Sequence, residues 1–344
     1  MNPTESWVKS FPGTRPLYLM VAFKIAPALS TGNVCVLKPS EIAPLTSQKM
    51  ASLINEAGFP PGVVNIINGY GHTVGAAISS HPKIAKIAFT GSTLTGRKIQ
   101  EASARSNLKV VSLELGGKSP NIIFEDADFE QAVKWAVVGI YTSAGQSCMA
   151  GSRIFVQESI YDKFVEAFRK AAEARKTYTG NPFDQATQQG PQVSQIQFDR
   201  VMSYIDSAKT EGATISTGGQ RHGNEGFFIQ PTIITDCKPE MKVVREEIFG
   251  PVAVVIKFKT EEGKYLLTVY LNAGGVFTEN NSRAVRVSHA LQGGSIFVNC
   301  YGSIDPSLPF GGYKQSGIGR EMGEYALETY TQVKAVHVNL SLKI

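Results

Sequence analysis

From residue 17 onward the chain alternates helical stretches with short apolar runs, and this alternation restricts its fold more than any other feature. "LYLMVAFKIAPALS" (17–30) reads as a helix stopped by "TGN", and "VCVLK" as a strand closed by Pro39, which has no N–H to extend a ladder. "TSQKMASLINEAG" is helical, with Gly58 as its stop and Pro60-Pro61 beyond it. "VVNII" is a strand, and the glycine-bearing loop "GYGHTVG" opens a short helix. "KIAKIAFT", "GSTLTGRKIQEAS" and "LKVVSLEL" follow as strand, helix and strand. Strands separated by helices pair side by side in parallel, so both faces of the sheet are covered. The expectation is a doubly wound α/β fold of the nucleotide-binding (Rossmann) type.

After "LELGGKSP" the alternation resumes with longer helices, "FEQAVKWAVVGIY", "IYDKFVEAFRKAAEAR", "IQFDRVMSYIDSAKTEG" and "SRAVRVSHALQ", which predict a second α/β domain. The 344 residues are enough for about two domains. We place the first at 1–116 and the second at 117–315, with 316–344 returning to the first. The terminal "VKAVHVNL" (333–340) alternates like a strand but has no obvious partner nearby. It is expected to be an edge strand or an arm that pairs with another subunit.

Composition excludes several classes. With 42% hydrophobic and 18% charged residues, the chain can bury a large core. The net charge of +5 arises from 34 basic and 29 acidic residues that are scattered, so no nucleic-acid track is expected. Cys35, Cys148, Cys237 and Cys300 are far apart and form no CxxC pair, and the five histidines show no ligand spacing. Neither a disulfide scaffold nor a metal is expected. The N-terminus lacks a charged start followed by an apolar run, and Leu17–Leu29 is interrupted by Lys24 and too short to span a bilayer. The expectation is a protein without a membrane partner, most simply cytoplasmic.

Four segments carry polar groups on flexible turns. In "LKPSE", Lys38, Ser40 and Glu41 follow a strand; in "FTGST", Gly91 and Ser92 open a helix whose N-terminal amides suit a phosphate. In "LELGGKSP", Glu114 stands between Leu113 and Leu115, just before Gly116 and Gly117. "GGKS" is not a P-loop, because the pattern needs glycine at 112, where this chain has Ser112. A carboxylate among apolar residues has its pKa raised by desolvation, towards the range of a base near neutrality; a structural pair with a lysine is the alternative at Glu114. The fourth segment, "AGQSCMAGSR" (144–153), sets Cys148 among small polar residues that let a ligand approach. Backbone amides of such a loop would raise the thiolate fraction, making Cys148 the candidate nucleophile; an inert exposed cysteine is the alternative.

Together these segments resemble the aldehyde dehydrogenase family from about residue 16 to the end. "LELGGKSP" resembles its glutamate signature and "SAGQSCMAGSR" its cysteine signature. "EEIFGPV" (246–252), "FVNCYG" (297–302) and "LPFGGYKQSGIGRE" (308–321) resemble three further segments in family order. The resemblance implies an aldehyde-oxidising enzyme using NAD, with Cys148 as nucleophile and Glu114 as base. It implies that Lys38 and Glu41 hold the adenosine ribose, that Gly91 and Ser92 meet the pyrophosphate, and that Ser40, Gly71, Leu115 and Gly116 also border the cofactor. Glu247 would bind the nicotinamide ribose with Phe249 near the ring, and Asn299 and Phe310 would lie by the substrate channel. A carboxylate at the position of Glu41 repels a 2′-phosphate, so NADP is the less favoured cofactor. The partners implied are a small aldehyde and further copies of the chain, as a homodimer or homotetramer.

The chain departs from the family pattern in three places. It resembles only the C-terminal two thirds of such subunits, so an incomplete cofactor domain is expected. Where the family has a Pro-Trp-Asn whose amide binds the oxyanion, this chain has "PGTRPL", placing Thr14 or Arg15 there. Losing one such donor costs about 10²–10³ in rate. Finally, "EEGKYLLTVYLNAGGVF" (261–277) fits the family poorly and is two residues short, which predicts poor local packing. The competing expectation is therefore an impaired or inactive fragment that retains at most ester hydrolysis. A thiol acyltransferase would share the cysteine but leave the ribose and phosphate segments unexplained.

Overall fold

The computed structural model describes residues 15–261 and 271–341. Thr14 and the 262–270 part of the irregular segment lie outside the described residues. The first half runs α1 (Arg15–Ser30), β1 (Cys35–Leu37), α2 (Leu45–Glu56), β2 (Val64–Ile66), β3 (Lys86–Thr90), α3 (Thr93–Arg105) and β4 (Val110–Glu114), with a short helical turn before β3. β1 pairs with β2 and β3 with β4, both in parallel, but the two pairs are not joined. The incomplete cofactor region is thus two small sheets. The apolar cluster beside β3 and β4 is correspondingly modest: Ile87, Ile99, Val111, Leu113 and Leu115. Around β1 the chain leaves Val34 and Leu45 71% and 80% exposed.

The second half supplies β5 (Pro120–Ile123), α4 (Phe129–Tyr141), β6 (Arg153–Gln157), α5 (Tyr161–Lys176), α6 (Gln195–Thr210), β7 (Thr214–Thr217), β8 (Thr232–Thr235), β9 (Val252–Phe258), β10 (Leu271–Phe277), α7 (Asn281–Ala290), β11 (Gly293–Val298) and β12 (Gly317–Ile318). Seven of these strands form one sheet in the order β11-β10-β5-β6-β9-β8-β7, parallel except for β7. Successive residues point to opposite faces. Ile123, Ile154, Val156, Ile233 and Val255 pack under α4 and α5, where Phe164 and Phe168 stack. Ile234 and Val254 pack on the other face with Val201 and Ile205 of α6, and Ile122 and Val276 with Val287 of α7. Asp128, Ser194 and Asn280 cap the N-termini of α4, α6 and α7 with side-chain oxygens. β12 returns to the first half and pairs antiparallel with β4, placing Gly317 opposite Glu114.

Of the two alternatives for residues 333–340, an edge strand within the chain is not formed among the described residues, and Val333, Val336, Val338 and Leu340 are exposed. An alternating pattern becomes a strand only against a backbone that completes its ladder, and no described residue of this chain offers one. The described end of the irregular segment does not pack poorly: 271–277 is β10, every residue buried between β5 and β11. Small and apolar residues suffice for a strand covered on both faces.

Candidate active site

Glu114 ends β4 and Cys148 follows α4, so the two chemical groups come from different sheets. The loop to Cys148 is strained: Ser143 and Ala144 hold φ values of +54° and +53°. Gly145, at φ +71°, lies so close to the Gly250 carbonyl that a Cβ would be 1.9 Å from that oxygen. The cysteine loop therefore rests backbone-to-backbone on "EEIFGPV". Cys148 itself is half-buried.

The electrostatics correct one expectation. Burial pushes the Cys148 thiol up to about 12, and the carboxylates of Glu114 and Glu247 add to the effect. The N–H groups of Cys148 and Met149 oppose it, as expected of the loop, but do not outweigh it. Burial also holds Glu114 well above the usual carboxylate range, with Lys24 and Arg320 pulling it back. Glu114 is 3% exposed, and a Cβ at Gly311 would lie 2.8 Å from its Oε1. The "PFGG" turn therefore presses against the carboxyl.

Sequence reasoning missed Lys24 and Glu321. Lys24 pairs with Glu321 in the interior, and its ammonium is held low by burial and raised by Glu114. The backbone of Glu321 pairs in both directions with Phe310, which is itself buried. The available signal was a lone lysine in an otherwise apolar helix, "MVAFKIAPALS", noted only as an interruption. Nothing local marked Glu321 as its partner.

A second group of expected residues does come together. Lys38 Nζ donates to the Gly69 and Pro39 carbonyls at 2.8 and 2.6 Å and to Glu41 at 3.3 Å, and the Gly71 N–H donates to Glu41 at 3.4 Å. Backbone N–H groups and Lys38 hold Glu41 below the usual carboxylate range, although burial opposes them. Ser40 is exposed beside it. Gly91 donates its N–H to the Glu114 carbonyl at 3.0 Å, and Ser92 caps α3 by accepting from the Thr95 N–H at 3.2 Å. Glu247 folds onto the glycines after Glu114. It accepts the Gly117 N–H at 3.1 Å, and a Cβ at Gly116 would lie 2.1 Å from its Oε2. Leu115 is buried with its N–H on the Ser316 carbonyl.

The remaining expected residues are held less simply. Phe249 takes φ +59°, with its carbonyl accepting from Gln197. Both ends of the Asn299 amide are engaged by the Thr278 backbone, so that amide braces the end of β10. Two hollows, of about 560 and 310 Å³, lie elsewhere, beside Lys98 and Arg105 and beside Cys237 and Lys257. Among the described residues no group of three or more His, Cys, Asp or Glu could hold a metal ion. No helix there is long and apolar enough to cross a membrane.

The expected polar groups are thus a lysine and carboxylate on the turn after β1, the capped N-terminus of α3, and the half-buried Glu247 on its glycine cradle. A family model described as "Aldehyde dehydrogenase family" matches residues 15–336. An aldehyde dehydrogenase of Agaricus bisporus is 60% identical over 331 residues, covering 95% of this chain and 65% of that protein. One from Emericella nidulans is 57% identical, covering 94% and 65%. The NAD+ complex of an aldehyde dehydrogenase from Bacillus cereus superposes with a TM-score of 0.91 at 47% identity, covering 94% of this chain and 66% of that one. The chain spans about 65% of the length of the curated relatives it matches.

Proposed function

This chain belongs to the aldehyde dehydrogenase family, and from that premise we propose that it oxidises an aldehyde to a carboxylic acid with NAD+. The observation that supports the reading is the Asn272 amide, which donates to the Leu115 carbonyl at 2.5 Å and to the Cys148 carbonyl at 3.4 Å and so joins the strand end of Glu114 to the thiol loop, while Glu247 accepts the nearby Gly117 N–H at 3.1 Å. Cys148 adds to the aldehyde carbonyl as nucleophile, and its thiol proton must pass to a base, because burial keeps the thiol protonated near neutrality. The N–H of Cys148 steadies the developing oxyanion. NAD+, when bound, supplies the hydride acceptor. The acyl group left on the sulfur is a thioester, and Glu114 activates the water that releases the acid. The raised pKa of Glu114 suits this work.

When NAD+ binds, Lys38 and Glu41 would hold the adenosine ribose, Gly91 and Ser92 at the start of α3 would meet the pyrophosphate, and Glu247 would bind the nicotinamide ribose with Phe249 nearby. Ser40, Gly71, Leu115 and Gly116 border the cofactor. The ionised Glu41 disfavours the 2′-phosphate of NADP. Phe310 borders the substrate. The cofactor-binding part is read as 1–116, the catalytic part as 117–315, with 316–344 returning across both. The alternating apolar residues exposed in 333–340 suit pairing with another copy, as a homodimer or homotetramer. All four cysteines are free, which fits a reducing compartment such as the cytosol.

The test is NADH absorbance on adding an aldehyde, compared with Cys148→Ser. Equal rates in the two proteins would remove Cys148 from the mechanism. The competing reading is that only the thiol chemistry remains. Cleavage of an activated ester without NADH production would select it.

A further inference from the structure

We infer that Asn272 and Tyr301 are positioning residues that grip the Cys148 loop by its carbonyl oxygens and thereby fix where the sulfur sits relative to the strand end of Glu114. The inference rests on reading Cys148 as the nucleophile. Asn272 is the second residue of β10, fully buried, and comes from the segment that fits the family pattern poorly. Its Nδ2 donates to the Leu115 carbonyl at 2.5 Å and to the Cys148 carbonyl at 3.4 Å. Leu115 adjoins Glu114, so one amide group ties the strand end bearing the carboxylate to the loop bearing the thiol. The join is close: a Cβ at Gly117 would lie 3.2 Å from the Asn272 backbone nitrogen and 3.4 Å from the Cys148 carbonyl oxygen.

Tyr301 holds the next carbonyl. Its hydroxyl donates to the Met149 oxygen at 2.7 Å. Its ring fills a hollow left by Gly139, Gly151 and Gly275, at each of which a Cβ would come within 2.8–3.2 Å of ring atoms. A ring so enclosed fixes where its hydroxyl sits. In a trans peptide the C=O and N–H point in opposite directions. Holding the Cys148 carbonyl on the Asn272 side therefore turns the Met149 N–H to the other side, where it donates to the Ser147 hydroxyl at 3.3 Å and closes the turn around Cys148. Fixing the Met149 carbonyl limits rotation of the same loop from its far end.

The experiment reads the thiol directly and needs neither cofactor nor aldehyde: the rate of alkylation of Cys148 by iodoacetamide against pH, with the modified cysteine located by peptide mapping. Asn272→Leu keeps an apolar volume but removes the amide. Its alkylation rate at pH 8 should change by about three- to tenfold, with a displaced pH profile, because the sulfur shifts with the released loop. Its kcat should fall while KM for NAD+ stays put. Tyr301→Phe keeps the ring and should show the same displacement, smaller, at about threefold. Folded Asn272→Leu and Tyr301→Phe proteins whose alkylation profiles superpose on the parent's would overturn the inference. If Asn272→Leu fails to fold, Tyr301→Phe decides alone. A parent protein that alkylates at Cys148 yet makes no NADH would end the dehydrogenase reading while leaving this measurement intact.

Discussion

The seven-stranded sheet and the divided cofactor region are built from the same alternation of strand and helix, yet they differ in cohesion. In the former, every strand from β10 to β8 has a neighbour on both sides, and apolar helices cover both faces. In the latter, β1 and β3 each have one free edge, and a handful of aliphatic side chains serve as core. Local pattern makes a strand possible; a neighbour on each edge makes it secure. The candidate active site draws one group from each region, so its precision depends on the weaker of the two.

The largest effect expected of this contrast is in hydrogen exchange. Amides of β6 and β9 should exchange at least about 10³-fold more slowly than those of β1 and β2. Equal protection in a mass-spectrometric time course would mean that the cofactor region is as firm as the catalytic one. Addition of NAD+ should slow exchange around Lys38, Glu41 and the start of α3, since a ligand of the folded state stabilises it.

Truncation of the core sharpens the same difference. Phe168→Ala, emptying a fully buried position under the large sheet, should cost about 3–5 kcal/mol by urea titration. Val36→Ala, on the half-exposed β1, should change stability by no more than about 0.5 kcal/mol. Similar losses at the two positions would contradict the contrast.

Glu114 tests the seam between the regions. Glu114→Gln should lower kcat by about 10²–10⁴. In the parent protein, activity should fall as pH drops, with a midpoint well above the usual carboxylate range, because burial favours the protonated form that cannot act as base. That limb should vanish in Glu114→Gln, and a pH–kcat profile that keeps it would assign the titration elsewhere. A modest effect is expected at Ser92→Ala, which removes the cap of α3 and should cost about 1 kcal/mol. A thermal melt followed through the cofactor region would detect it.

The site was partly legible in the sequence. Lys38 and Glu41 lie within one short turn, and Glu114 with Gly116 in another, so turn chemistry at strand ends drew attention to them, whereas Gly71 entered only through the family resemblance. Cys148 was selected by its small neighbours, but its thiol proved more protonated than those neighbours suggested. Burial is a sum over residues distant in the chain, including Glu247, and no window of sequence contains it. The hydrogen bonds of Asn299 to the Thr278 backbone could not be read from the sequence, because that pairing depends on strand register.

By itself the sequence determined the order of helices and strands, the parallel sheet, and the short polar turns that carry chemistry, because periodicity and turn residues act over a few positions. Tertiary structure alone decided that Lys24 meets Glu321, that Asn272 bridges the carbonyls of Leu115 and Cys148, and that the terminal alternating segment stays unpaired. Those outcomes depend on which distant backbones approach and how much water they exclude. Both are properties of the packed chain.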